Sequence, residues 1–314
     1  LYTKYKSEII KQVESKTDID GSKLKRSKAN DVIIPCSGET AVDIATARCV
    51  PFDSILLGGD LNVISLHKYD GAFMSYQLNG KRKYDIARVA QGVSVVHLYG
   101  EHLKTIKTYN PTLPEQQKIA ILLSLLDERI ATQNKIIDKL QSLIKGIAQN
   151  IVSNNKPNIR LSDCLDCSSS TLQESDVCET GIYPVYGANG IVGYLDNYNT
   201  EGEAVYIIKD GSGVGTVSYA TGKCSATGTL NTLQAKDGYS LQYLYYILKV
   251  FNFEPYKTGM AIPHIYFKDY GKAKIFCPSY TEQLRYARLQ SAIDSKLSVE
   301  KNILTSLSSQ KQYL

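Results

Sequence analysis

The loop Gly211-Ser212-Gly213-Val214-Gly215-Thr216 has the glycine density of a phosphate cradle, in which backbone amides meet an anion. It lacks the Lys-Ser or Lys-Thr pair that follows the last glycine of a nucleotide-binding loop, and its sixth position is Thr216 rather than glycine. The pattern therefore predicts a β-turn, whose amides could still meet a phosphate. Cys164-Leu165-Asp166-Cys167 is half of a zinc motif. No second Cys-x-x-Cys and no spaced pair of histidines completes it, so no metal is expected. Histidine occurs at 67, 97, 102 and 264. His97 and His264 each close a Gly-x-x-x-x-His pattern and each precede a proline by 14 residues. No serine, cysteine or carboxylate recurs beside both, so nothing indicates a nucleophilic dyad. Hydrogen bonding to the local backbone and to a phosphate both fit these histidines.

Those two histidines belong to a repeat. Residues 92–147 and 259–314 align without a gap over 56 positions at an offset of 167. Identical pairs include Gly92/Gly259, His97/His264, Tyr99/Tyr266, Pro111/Pro278, Glu115/Glu282, Gln116/Gln283, Ser124/Ser291 and Asp127/Asp294. The period is too long for a solenoid and predicts two large similar modules. A chain built so suits a partner that also has two similar parts. Asn110-Pro111-Thr112-Leu113 has the first two residues of an Asn-Pro-Pro-aromatic methylation motif but not the last two. It reads as a stop before a helix, and Cys277-Pro278-Ser279-Tyr280 keeps only the proline.

The elements that must hold these residues are long helices. The first is predicted from Pro114-Glu115, with proline and an acid in the first turn, to about Ser153, before Asn154-Asn155-Lys156-Pro157. That is about 39 residues, or roughly 58 Å. Its predicted seam runs Ile119, Leu122, Leu126, Ile130, Gln133, Ile137, Leu140, Ile144, Ile147 and Ile151. Steps of three and four alternate as in a coiled coil, except for two successive steps of four at Leu126 and Ile130. The second copy repeats the pattern with Tyr286, Leu289, Ile293, Leu297, Leu304, Leu307 and Leu314, and Glu300 aligns with Gln133. Neither helix can bury its seam alone, so the two are expected to pack on each other.

Between them, residues 156–278 are rich in Gly, Tyr and Thr, with short alternating runs such as Ala204-Val205-Tyr206-Ile207-Ile208 and frequent turn signals. This predicts curved β structure, plus a short amphipathic helix over 240–251 capped by Ser240. The first module follows the same plan more loosely. Gly59-Asp60-Leu61-Asn62 matches Gly228-Thr229-Leu230-Asn231, and residues 70–78 stand where the short helix should be. The predicted order is module 1–112, helix 113–155, module 156–279, helix 280–314.

The net charge of +5 is a weak signal. Residues 1–110 carry 16 basic and 12 acidic side chains, against 10 and 12 in residues 156–278. The local basic clusters are Lys23-Leu24-Lys25-Arg26-Ser27-Lys28 and Lys81-Arg82-Lys83. Seven cysteines without a regular framework predict reduced thiols in a cytoplasmic protein. No apolar run suffices to span a membrane. No secretory signal opens the chain, and Leu1 amid mixed polar sequence implies a natural N-terminus further upstream.

Pro111-Thr112-Leu113-Pro114-Glu115-Gln116-Gln117-Lys118-Ile119-Ala120, continued by Leu122-Leu123-Ser124-Leu125-Leu126-Asp127-Glu128-Arg129-Ile130, closely resembles the helical regions of type I restriction–modification specificity subunits. Pro278 through Asp294 resembles the same element. Tyr183-Pro184-Val185-Tyr186-Gly187 through Tyr194 is similar to the start of that family's target recognition domain, and Gly92 through Leu98 to its end. The first module lacks the Tyr-Pro-Val-Tyr-Gly element. The resemblance implies an α+β chain: two α/β target recognition domains joined by two long antiparallel coiled-coil helices with pseudo-two-fold symmetry. It implies a non-catalytic subunit that reads a bipartite, asymmetric site in double-stranded DNA. The helices would act as a ruler between the halves and as docking surface for methyltransferase subunits, with an endonuclease/translocase subunit joining them. S-adenosylmethionine and ATP would sit on those partners. An adenine target would be flipped out for methylation.

On that reading, turn position and polarity make Ser37, Asn62, Lys81, Arg82 and His97 the candidates for DNA contact in the first module. Asn189, Lys209, Ser212, Lys223, Asn231 and His264 are those of the second. The alternative reading is a protein-binding scaffold whose Tyr-rich modules recognise peptides or glycans.

Overall fold

A computed structural model of the chain describes residues 4–18, 20, 23–259 and 261–313, the last without its side chain. The chain divides into two units, Leu1–Asn134 with Asn302–Leu314, and Lys135–Lys301. Both boundaries fall inside the two long helices, so each unit owns one head and a stretch of both helices.

In the first unit three antiparallel strands form a sheet in the order Arg48–Val50, Asp31–Pro35, Leu61–Ile64. The central strand is buried along its whole length. Its side chains alternate between two cores, as the period of two requires. Val32 and Ile34 join Ile44, Met74, Leu78, Ile86 and Leu98 on one face. Ile33 joins Ile10, Val50 and Leu57 on the other. The helix Gly71–Asn79 covers the first face, and Asp70 caps it by accepting from the Phe73 amide at 2.8 Å.

The second unit elaborates the same plan. Four antiparallel strands run in the order Val217–Thr221, Glu203–Ile208, Leu230–Ala235, Leu165–Ser169. A second sheet holds Ser225–Ala226, Tyr183–Gly187 and Gly190–Leu195. The strand Glu203–Ile208 again divides its side chains. Ala204, Tyr206 and Ile208 pack with Ala220, Cys224, Ala226 and Leu230. Val205 and Ile207 pack with Leu244, Ile247, Tyr270, Ala287 and Ile151. The helix Leu241–Leu248 is capped by Ser240, which accepts from the Tyr243 amide at 3.3 Å. In the first unit the strand Leu61–Ile64 has, among the described residues, no counterpart of Leu165–Ser169 on its outer edge.

The long helices span Leu113–Asn154 and Tyr280–Tyr313. At 42 and 34 residues they measure about 63 and 51 Å. Both begin with the same device. Glu115 accepts from the Thr112 amide and hydroxyl, and these two bonds hold its carboxyl below the usual range. Ser279 donates to Glu282 at the matching place. Within the second unit the helix stretches run in opposite directions. Gln290 donates to the Ile144 carbonyl at 3.2 Å, while Ile151 shares a core with Ala287.

The buried face of these helices corrects the predicted seam. In the first helix it comprises Gln116, Ala120, Leu123, Gln133, Ile137, Ile144, Ala148 and Ile151, with Leu126, Ile130, Leu140 and Ile147 half-buried. In the second it comprises Gln283, Ala287, Gln290, Leu297, Glu300 and Leu307, with Ile293 and Leu304 half-buried. Ile119, Leu122 and Leu289 are exposed, Leu122 by 48% and Leu289 by 50%. Leu314 lies outside the described residues. The predicted N-terminal stripe is thus one residue out of register. Through Asp127 and Asp294 the face then takes two successive steps of three, to Ile130 and Gln133 and to Leu297 and Glu300, not two of four.

The reason is tertiary hydrogen bonding. Gln116 accepts from the Asp70 amide at 2.9 Å and donates to the Pro111 carbonyl at 2.8 Å. Gln283 accepts from the Ser240 amide at 2.9 Å and donates to the Pro278 carbonyl at 2.9 Å. A glutamine whose amide is satisfied on both sides can be buried, and it turns Ala120 and Leu123 inward with it.

Candidate nucleic-acid interface

Each unit contains a pair of loops clipped together by backbone hydrogen bonds. In the second unit the first loop leaves the strand Glu203–Ile208 at Lys209 and returns at Thr216. Gly211 and Gly215 take positive φ angles of 93° and 89°. A side chain on Gly215 would also press on Phe253. The amides of Gly211, Val214, Gly215 and Thr216 bond to the carbonyls of Pro263, Gly211, Ile208 and Gly213. These amides are therefore spent within the fold rather than turned to an anion. What the loop offers outward are the exposed side chains of Ser212 and Thr216.

The second loop, 258–264, is closed by two backbone bonds between Thr258 and His264, of 2.9 and 2.7 Å. The Ile265 amide then donates to the Lys209 carbonyl at 2.9 Å. Asp210 ties the pair from above. One of its carboxylate oxygens meets His264 Nδ1 at 2.7 Å and the other meets Lys209 Nζ at 3.2 Å.

The first unit repeats the arrangement. Gln91 and His97 exchange two backbone bonds of 2.9 and 2.7 Å, closing the loop 91–97. The Leu98 amide donates to the Cys36 carbonyl at 2.7 Å, and Ser37 pairs with His97 in a short antiparallel ladder. The Ser37 hydroxyl donates to Asp60 at 2.6 Å, and Asn62 Nδ2 donates to the Leu98 carbonyl at 2.8 Å. Burial and the Asp60 charge raise the Cys36 thiol above its ordinary pKa. His97 is exposed and stacks on Tyr99 with ring centroids 6.2 Å apart. Tyr266, at the repeat-equivalent position, is exposed in the second unit with Lys268 5.3 Å above its ring.

Among the candidates, Ser37 and His97 are brought together in the first unit with Asn62 bracing them, and Lys209, Ser212 and His264 in the second. The rest stand apart. Lys81 is exposed in the turn after Gly71–Asn79. Arg82 lies 5.1 Å over the Tyr109 ring and pairs with Asp85 at 3.2 Å, which makes it a structural cation. Asn189 is exposed between the strands Tyr183–Gly187 and Gly190–Leu195. Lys223 sits 4.8 Å over Tyr198 and 3.8 Å from Glu201; the Tyr198 hydroxyl and this charge raise its pKa.

Asn231 must be withdrawn. It is 3% exposed, donates to the Tyr270 hydroxyl at 2.9 Å and accepts from Ser169 at 3.1 Å. Its amide is a core fastener that no base can reach. Sequence reasoning missed Tyr99, Tyr266 and Asp210. The signal for the tyrosines was in the repeat, where Gly-x-x-x-x-His extends to Gly-x-x-x-x-His-x-Tyr. Among the described residues no group of three or more His, Cys, Asp and Glu could hold a metal ion, and none of their helices is long and apolar enough to cross a membrane. All seven cysteines are unpaired, and burial pushes the Cys49 and Cys164 thiols up to about 12.

The model of the type I restriction modification DNA specificity domain matches this chain twice, over residues 5–142 and 157–309. Among curated proteins, the type I restriction enzyme EcoprrI specificity subunit of Escherichia coli is 29% identical over 117 residues. That match spans 37% of this chain and only 29% of the relative. Among solved structures, the S subunit of the type I restriction-modification system from M. genitalium superposes with a TM-score of 0.71. It is 20% identical, and the match covers 99% of this chain and 87% of that one, a likeness of fold.

Proposed function

Because the chain belongs to the type I restriction modification DNA specificity family, we propose that it reads a split, asymmetric site in double-stranded DNA, one half with each head. The observation that carries this reading is the duplicated loop pair. Each head presents the same frame and the same histidine, His97 or His264, with different polar side chains beside it: Ser37 in one, Lys209 and Ser212 in the other. Lysine and hydroxyl groups suit phosphates, and hydroxyl and imidazole groups suit base edges. Exposed Asn189, Lys81 and Lys223 remain secondary candidates.

The chain acts without a catalytic centre of its own. S-adenosylmethionine and ATP belong to partner subunits: a methyltransferase that modifies the site and an endonuclease that translocates DNA. The first long helix exposes Ile121, Leu122 and Leu125 side by side, a patch that suits burial against the methyltransferase. The setting is cytoplasmic.

Against a Tyr-rich scaffold for peptides or glycans stands the use of the tyrosines. Tyr76, Tyr206, Tyr243, Tyr246 and Tyr270 are buried. The test is co-expression with the modification subunit encoded beside it. A complex that methylates one bipartite sequence is expected. A soluble complex with no sequence preference, or no complex, would reject the proposal.

A further inference from the structure

The loops 91–97 and 258–264 do more than carry histidines. Val93 is 99% exposed and Val95 about half exposed; in the second unit Ile262 is exposed as well. Aliphatic side chains held this far into solvent do nothing for the fold. Neither loop is slack. Each is closed by its pair of backbone bonds, and each has a glycine at positive φ as its second residue, 118° at Gly92 and 87° at Gly259. A Cβ on Gly92 would run into the Val95 carbonyl oxygen, and one on Gly259 into that of Ile262. These bonds and glycines hold the described residues of each loop in place.

We propose that these tips form a sequence-independent contact to duplex DNA, an aliphatic wedge set against the stacked bases and used alike at both half-sites. The inference rests on the DNA-reading function above and adds a division of labour to it. The heads have diverged upstream, yet this loop persists with its histidine and tyrosine. What persists in both heads meets something identical at both half-sites. Two things qualify: the DNA duplex itself and a partner subunit present in two copies. The surroundings favour DNA. Each tip is clipped to a loop bearing Ser37 or Lys209 and Ser212, donors suited to phosphates beside an apolar wedge suited to base faces. A docked protein would call for a broader apolar area than these few side chains. Base identity is then read by the diverged residues around the wedge.

The test uses the complex with modification subunits and the variants Val93→Ser with Val95→Ser, and Ile262→Ser. All three side chains are exposed, so an unchanged melting temperature is the fold control; Val93→Ala with Val95→Ala serves if the serines disturb the loop. DNA affinity is measured by anisotropy on the target and on targets altered in either half. We expect roughly tenfold weaker binding on every sequence, with discrimination between sequences retained. A 2-aminopurine reporter in each half-site should lose fluorescence enhancement with the matching variant. Unchanged affinity, or loss of discrimination alone, overturns the wedge. Loss of the modification subunit from the complex overturns it in favour of a protein contact. If the unsubstituted complex shows no sequence preference, the underlying function falls with it.

Discussion

Tyr246 donates its hydroxyl to Asp294 across 2.8 Å and so fastens the helix Leu241–Leu248 to the second long helix. Tyr76 does the same to Asp127 at 2.7 Å in the first unit, where Lys311 adds an ion pair to Asp127 at 2.6 Å and one to Glu8 at 3.0 Å. Burial lowers the Lys311 pKa, but these two carboxylates outweigh it and hold the value above normal. The two aspartates are repeat-equivalent, so this head-to-helix fastening belongs to the duplicated design. Tyr246→Phe should cost about 1.5–3 kcal/mol, the range for a hydrogen bond to a charged acceptor. Urea unfolding measures the loss. Faster hydrogen exchange in residues 241–248 than elsewhere in the second unit would localise it. An unchanged urea midpoint would show the bond to be dispensable.

The same pair gives the chain an alkaline limit. Burial raises the pKa of Tyr76 and Tyr246, and the carboxylates of Asp127 and Asp294 raise it further. A group whose pKa rises on folding binds its proton more tightly in the folded chain. Its stabilisation is complete below the unfolded value, about 10 for tyrosine, and declines as pH rises above it. Urea midpoints should therefore hold steady from about pH 8 to 9.5 and fall beyond 10. The Tyr76→Phe, Tyr246→Phe double variant should fall less steeply. Equal slopes would mean that other buried tyrosines, such as Tyr270, dominate.

The corrected register of the first helix makes neighbouring leucines inequivalent. Leu123 is 7% exposed and Leu122 48%. Leu123→Ala should cost about 2–4 kcal/mol through the cavity it leaves. Leu122→Ala should stay within about 0.5 kcal/mol. It should instead weaken capture of the modification subunit, measured by co-purification. The opposite ranking would restore the seam predicted from hydrophobic spacing.

That seam shows what a single sequence can and cannot reveal. From Ile137 onward most apolar residues gather on one face, with Leu143 and Val152 exposed beside it, and spacing finds it. Near the N-terminus Ile119, Ile121, Leu122, Leu123, Leu125 and Leu126 surround the helix on several sides. The face that is buried there is marked by Gln116 and Ala120, which no hydrophobicity pattern selects. Gln116 is inside because Asp70 and Pro111 satisfy its amide, and those partners arrive through the fold. The helix ends were legible, since Glu115 and the Asn-Pro-rich stop act locally. So was Ser240, a cap that needs only its own first turn. Asn231 failed for the opposite reason. Its partner Tyr270 lies 39 residues away and gives no local sign.

Asn231 and Lys209 accordingly separate fold from recognition. Asn231→Ala strands the Tyr270 hydroxyl in the core, while the exposed Ser169 hydroxyl can turn to water, and should cost about 1–3 kcal/mol in urea unfolding. At temperatures where the variant stays folded, its DNA affinity and salt dependence should match the parent. Lys209→Ala should leave stability nearly unchanged, since its ion pair with Asp210 is partly solvated. On the proposed function its effect falls on DNA: weaker binding to all sequences, and a slope of log affinity against log salt shallower by about 1 if the ammonium neutralises a phosphate. Anisotropy titrations at several salt concentrations, run on the parent complex and both variants, give all three slopes. A parental slope for Lys209→Ala would remove that lysine from the interface. A folded Asn231→Ala that lost discrimination at one base pair would return the asparagine to it.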